Sequence, residues 1–120
     1  MKNASISARL GHARDGIRLV WRREKTFRSH GLFAAAALAT TAALGAGPVW
    51  WALVILCIAL VVALEALNSA LEYVIDRLHP EIHEEIRCAK DAAAGAVLLA
   101  SIGAALVGAL ILLAWWQGRM

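Results

Sequence analysis

The sequence predicts an all-α membrane protein: an amphipathic N-terminal helix at the membrane surface, then three transmembrane helices that assemble as a homo-oligomeric bundle. Three observations predict it. The chain is 61% hydrophobic with a mean hydropathy of +0.65, against ~45–50% apolar content in soluble domains. At 120 residues it makes one domain, too small to hide so much apolar surface in its own interior, so the bilayer must act as solvent. Finally, eight of the 12 Lys and Arg (Lys2, Arg9, Arg14, Arg18, Arg22, Arg23, Lys25 and Arg28) precede the long apolar runs. A basic start beside such runs suits an anionic membrane surface rather than nucleic acid.

Residues 5–28 alternate apolar and basic side chains at helical spacing. Ile6, Leu10, Ala13, Ile17, Val20, Trp21 and Phe27 form one side and the arginines cover the rest, the pattern of a helix lying among lipid headgroups. The competing reading, a signal peptide with a small-residue site near Ala43–Gly45, asks for a shorter and less patterned basic region.

Three apolar spans follow, at residues 31–47, 49–75 and 92–116. The third carries no charge and is long enough to cross the hydrocarbon, which takes ~20 apolar residues. The first is short and alanine-rich, and needs Phe27 or a thinned bilayer to complete it. Gly45, Gly47 and Pro48 mark the turn between the first two spans. With the amino terminus cytoplasmic, Arg77, Arg87 and Lys90 join the eight basic residues above on the inside. Eleven of the 12 Lys and Arg are then cytoplasmic, and only Arg119 near the carboxyl terminus lies outside. Small residues recur every fourth position in two spans: Gly31, Ala35, Ala39, Ala43 and Gly47, then Ala92, Ala96, Ala100, Ala104 and Gly108. Such ridges let membrane helices approach closely, and three thin helices cannot shield buried charges alone, so a homo-oligomer is expected. Cys57 and Cys88 read as free thiols, with no disulfide framework or paired-cysteine metal spacing.

The second span ends E-A-L-N-S-A-L-E-Y-V-I-D, Glu65 to Asp76. At 100° per residue, Glu65, Asn68, Ser69, Glu72 and Asp76 share one face about 100° wide. A carboxylate near the bilayer centre costs roughly 2.5–3.5 kcal/mol on insertion scales, so two on one apolar helix demand a reason. Emergence of the helix into water accounts for Asp76 as well as function does, but not for Glu65 and Asn68, one to two turns deeper. Hard cations such as Mg²⁺ take oxygen ligands, often one or two carboxylates plus phosphate oxygens. Glu24, three residues beyond Trp21, points toward the membrane body and is the natural second carboxylate beside Glu72, although a surface pair with Arg28 at i+4 explains it equally well. Lys90 and Asp91 precede the third span; Lys90 suits phosphate oxygens, or an interfacial anchor. Pro80, between His79 and His83, is expected to open a new helix. Glu81, Glu84 and Glu85 read as a solvated face. Gly-rich phosphate loops, Walker lysines and Ser-His-Asp sets are absent from the sequence.

These motifs resemble the prokaryotic diacylglycerol kinase family, which includes undecaprenol kinases. The resemblance covers nearly the whole chain through G-I-R-L-V-W-R-R-E-K-T-F-R from Gly16, E-A-L-N-S-A-L-E-Y-V-I-D from Glu65 and A-K-D-A-A-A-G-A-V from Ala89. It implies a homotrimer in the bacterial inner membrane, with active sites shared between subunits at the cytoplasmic interface. It further implies transfer of the γ-phosphoryl group of ATP to a lipid hydroxyl with Mg²⁺. By matching positions, Glu65 is the expected general base, Asn68 a positioning group, and Glu24 and Glu72 the metal ligands. Lys90 and Asp91 are expected on the nucleotide, with His83 in the adjoining loop. Ala13 and His30 depart from the Gram-negative diacylglycerol kinases, and His30 with A-K-D-A-A-A-G-A-V looks more like the undecaprenol kinase branch. Diacylglycerol is the leading acceptor and undecaprenol the runner-up. A catalytically inactive interaction protein or small transporter subunit is the alternative of another class, since proton-coupled transporters also carry polar intramembrane faces. Retention of Glu65, Glu24 and Lys90 argues against it.

Overall fold

The structure is a computed structural model that describes residues 2–120. It contains four helices: α1 (Ile6–Arg23), α2 (Lys25–Ala43), α3 (Pro48–Leu78) and α4 (Glu84–Trp116). No strand occurs among the described residues. Helix α3 is central: α4 packs along it, α2 packs on another side, and α1 touches both α2 and α3. Helix α4 alone, 33 residues at ~1.5 Å each, accounts for most of the 54 Å long axis.

Each end has a chemical cause. Ser5 caps α1, its hydroxyl accepting from the Ala8 amide at 3.3 Å. Between α2 and α3, Gly45 takes φ +67°, and the amides of Gly45 and Ala46 return to the carbonyls of Ala42 and Thr41, the paired bonds of a Schellman end. Pro48 then starts α3, where its missing N–H costs nothing. His83 caps α4 through Nδ1, which accepts from the Glu85 amide at 3.2 Å, and Glu84 and Glu85 sit favourably at the positive end of that helix.

Three expected boundaries are corrected. The surface helix does not run to residue 28: it stops at Arg23, and Glu24 is extended at φ −108°, ψ 109°. No glycine or proline stands at this break. Arg28 caps it, folding back to donate from Nη1 to the carbonyls of Trp21 (2.6 Å) and Arg22 (3.0 Å), which α1 leaves without amide partners. Arg28 is therefore not an i+4 partner of Glu24. Around the same elbow Trp21 meets Phe27 edge-on, with centroids 6.2 Å apart, and lies against Gly31. Pro80 opens no helix; residues 79–83 form a non-helical link, and α4 begins at Glu84, eight residues before the apolar stretch.

The chain buries few side chains, among them Val20, Phe27, Val54, Val61, Ile75 and Ile111. Many large apolar residues, including Leu56, Leu67, Leu99 and Leu106, face outward. Helices α3 and α4 are each long and apolar enough to cross a membrane. The α4 ridge at Ala96, Ala100, Ala104 and Gly108 is half-buried, whereas Ala35, Ala39 and Ala43 on α2 face away from the rest of the chain.

Candidate active site

The polar stripe of α3 meets the α1–α2 elbow at one level and the start of α4 at another. Glu65 is deepest. It is only 6% exposed, and Ser69, one turn on, only 2%. A buried carboxylate needs a partner to offset its desolvation. Among the described residues the basic group paired with it is His30 on α2, whose Nε2 lies 3.5 Å from Glu65 Oε2. Asn68 shares the stripe, and its Oδ1 is buried with no hydrogen-bond donor. A buried acceptor left free is costly in a finished core and informative in a site, because it awaits a donor from outside the chain.

One to two turns nearer the helix end, Glu24 reaches α3 at Tyr73, the residue after Glu72. Glu24 is half-buried rather than projecting into water, and its Oε1 accepts a 2.8 Å hydrogen bond from the hydroxyl of Tyr73. The Arg23 guanidinium lies 5.3 Å from the Tyr73 ring centroid, which adds a cation–π contact to the same junction. Among the described residues no three His, Cys, Asp or Glu side chains form a ready metal site. Two carboxylates of this kind do fit Mg²⁺, which commonly takes one or two from protein and the remaining oxygens from water and substrate phosphate.

At the α3–α4 link, Lys90 Nζ donates to Asp76 Oδ1 at 2.8 Å, and Asp91 lies 3.5 Å from Arg87. His83, Lys90, Asp91, Arg87 and His79 line a cleft of about 210 Å³. The structure thus brings Glu65 to His30, Glu24 to the neighbour of Glu72, and His83 to Lys90 and Asp91. It keeps this last group in a separate cleft from the carboxylate pair.

A larger, apolar groove of about 760 Å³ runs between α2 and α4 over α3. Phe33, Ala37, Cys57, Val61, Ala104 and Gly108 line it, and His30 stands among its few polar groups. Two residues of this site escape sequence reasoning. Tyr73 lies just off the stripe and is uncharged, and His30 pairs with a residue 35 positions away.

The family model described as prokaryotic diacylglycerol kinase matches residues 11–112. The chain is 35% identical to the diacylglycerol kinase of Escherichia coli (strain K12) over 102 residues, 85% of this chain and 84% of that one. It is 38% identical to the diacylglycerol kinase of Synechocystis sp. over 112 residues, 92% of this chain and 63% of the relative. Over 102 residues it is 34% identical to the undecaprenol kinase of Bacillus subtilis (strain 168), covering 85% and 83% of the two chains.

Proposed function

This chain belongs to the prokaryotic diacylglycerol kinase family, whose members are lipid kinases, and from that premise we propose that it transfers the γ-phosphoryl group of ATP to the hydroxyl of diacylglycerol, giving phosphatidic acid. The observation that carries the reading is a buried carboxylate, Glu65, paired with a histidine that borders an apolar groove. At about 760 Å³ that groove falls within the ~300–1,000 Å³ typical of small-molecule sites, and its lining suits acyl chains. A lipid held there keeps its hydroxyl near the headgroups.

Glu65 takes the hydroxyl proton as the oxygen attacks the γ-phosphorus, and Asn68 Oδ1, free of any donor in the chain, accepts a hydrogen bond that orients the reacting groups. Glu24 and Glu72 hold Mg²⁺, which when bound neutralises charge on the phosphoryl oxygens. Lys90 gives phosphate a point charge in the α3–α4 cleft, with Asp91 and His83 contacting the rest of the nucleotide. Phosphoryl transfer asks the protein mainly for positioning and charge neutralisation, so this short inventory suffices.

The surrounding architecture follows from the same premise. Helix α2 is the third membrane span beside α3 and α4, α1 lies on the cytoplasmic face of the bacterial inner membrane, and the carboxyl terminus is outside. The outward Ala35, Ala39 and Ala43 support close contact with another copy in a homotrimer. Undecaprenol is the second acceptor reading, favoured by a 34% identity to an undecaprenol kinase that nearly equals the 35% to a diacylglycerol kinase. Purified protein supplied with each lipid, Mg²⁺ and γ-labelled ATP separates the two. Label in diacylglycerol is expected. Label only in undecaprenol transfers the assignment to that acceptor, and label in neither leaves the inactive scaffold as the better account.

A further inference from the structure

We infer that His30 is the positioning residue of Glu65 and the group to which Glu65 hands the proton it collects. The inference rests on the kinase reading above and deepens it. Glu65 is 6% exposed, so a proton taken there has no direct route to water. His30 Nε2 stands 3.5 Å from Oε2, and its imidazole, 22% exposed against 9% for the Glu65 side chain, is the less buried member of the pair and sits beside the α1–α2 elbow. The separation is longer than a hydrogen bond. Such contacts in substrate-free sites often tighten when the reactants are in place. The backbone holds the histidine firmly: it lies next to Gly31, against which the Trp21 ring packs, and two residues after Arg28, which caps α1. Helix α4 contributes no competing charge at this depth, since none occurs from Ala92 to Trp116.

The step balances. The lipid oxygen forms its bond to the γ-phosphorus as the bond from that phosphorus to the bridging oxygen breaks, and ADP leaves with the electron pair. The hydroxyl proton passes to Glu65 Oε2 and then to the lone pair of His30 Nε2. Nδ1 releases its own proton to interfacial water, and the ring returns to its starting tautomer by exchange with that water. Glu65 is then ionised for the next turnover.

Three proteins test this: the parent chain, His30→Ala and His30→Gln, each purified with its lipid and assayed at saturating ATP. Both variants are expected to lose about 100-fold in kcat with little change in the KM for ATP, the lower end of what one proton-transfer group contributes. Added imidazole should restore part of the rate to His30→Ala, with rescue rising with the basicity of substituted imidazoles, and none to His30→Gln, whose amide fills the space. His30→Gln retains volume and polarity and so guards against a loss caused by misfolding. Parent-like kcat in either variant overturns the inference. So does a deficit in His30→Ala that no imidazole relieves. Failure of the parent to label any lipid is a different result, and removes the kinase reading itself.

Discussion

Replacing Tyr73 by phenylalanine removes a single oxygen from the junction between surface helix and stripe. The ring stays, so its stacking beneath Arg23 and its packing on α3 persist. What disappears is the 2.8 Å hydrogen bond to Glu24 Oε1. Hydrogen bonds to charged groups contribute ~1.5–3 kcal/mol, and because both side chains are half-exposed the lower end applies, about 1.5 kcal/mol or roughly tenfold in an equilibrium. The bond ties the carboxylate to α3 one residue beyond Glu72. Without it Glu24 samples other rotamers, and the Mg²⁺ concentration giving half-maximal rate should rise about tenfold. At saturating Mg²⁺ the rate should return to within about twofold of the parent, because Glu65 and Asn68 are untouched. A Mg²⁺ titration of lipid phosphorylation measures both numbers. An unchanged requirement would show that Tyr73 does not orient a metal ligand; a lower one would show that its hydroxyl competes with the ion for Glu24.

Glu65→Gln keeps the shape of the side chain but removes the proton acceptor, so kcat should fall by about 10²–10⁴-fold while thermal stability in detergent holds or rises, a neutral amide being cheaper to bury than a carboxylate. Lys90→Met should raise the KM for ATP about tenfold with little change in melting temperature, because its ion pair with Asp76 is largely exposed and contributes little to stability. For Gly31→Val, a Cβ falls 2.6 Å from Cζ3 of Trp21, so the exposed Trp21 ring or the elbow beneath it must shift, at a cost of about 1 kcal/mol. A Trp21→Ala background should erase most of that cost in a double-mutant cycle read by thermal unfolding.

Much of the site was legible because its members share one helix. Glu65, Asn68, Ser69 and Glu72 repeat at the spacing of a single face, and the cost of placing carboxylates among leucines marks them out without any tertiary information. Residues whose importance comes from a partner on another element were not legible in that way. Asp76 looks like a solvated helix end until Lys90, 14 residues on, is seen to donate to it. The elbow at Glu24 carries no breaker residue, and the group that caps it is a side chain folding back from the following helix. Helix α4 extends back through Glu84 because charged residues in its first turns remain helical once a histidine caps them, whereas hydropathy registers only the apolar portion.

Seven residues separate Glu65 from Glu72, ~10 Å along α3 at ~1.5 Å per residue, and Asp76 lies a further turn toward the α3–α4 link. Under the proposed roles this is a ladder matched to the reactants: lipid hydroxyl beside the buried carboxylate, phosphate and ion one to two turns outward, nucleotide at the cleft of Lys90. Helix α3 alone supplies only one side of each rung. The other side comes from the short stretch between Trp21 and Gly31, where Glu24 reaches Tyr73 and, after one change of helix direction, His30 reaches Glu65. A continuous helix would place residues 24 and 30 ~9 Å apart on a straight axis, with side chains about 120° from each other in rotation about that axis. Breaking the helix at Glu24 is what lets both serve α3 at different depths. The Arg28 cap that stabilises the break is therefore part of how the site is assembled, although Arg28 touches neither carboxylate's partner.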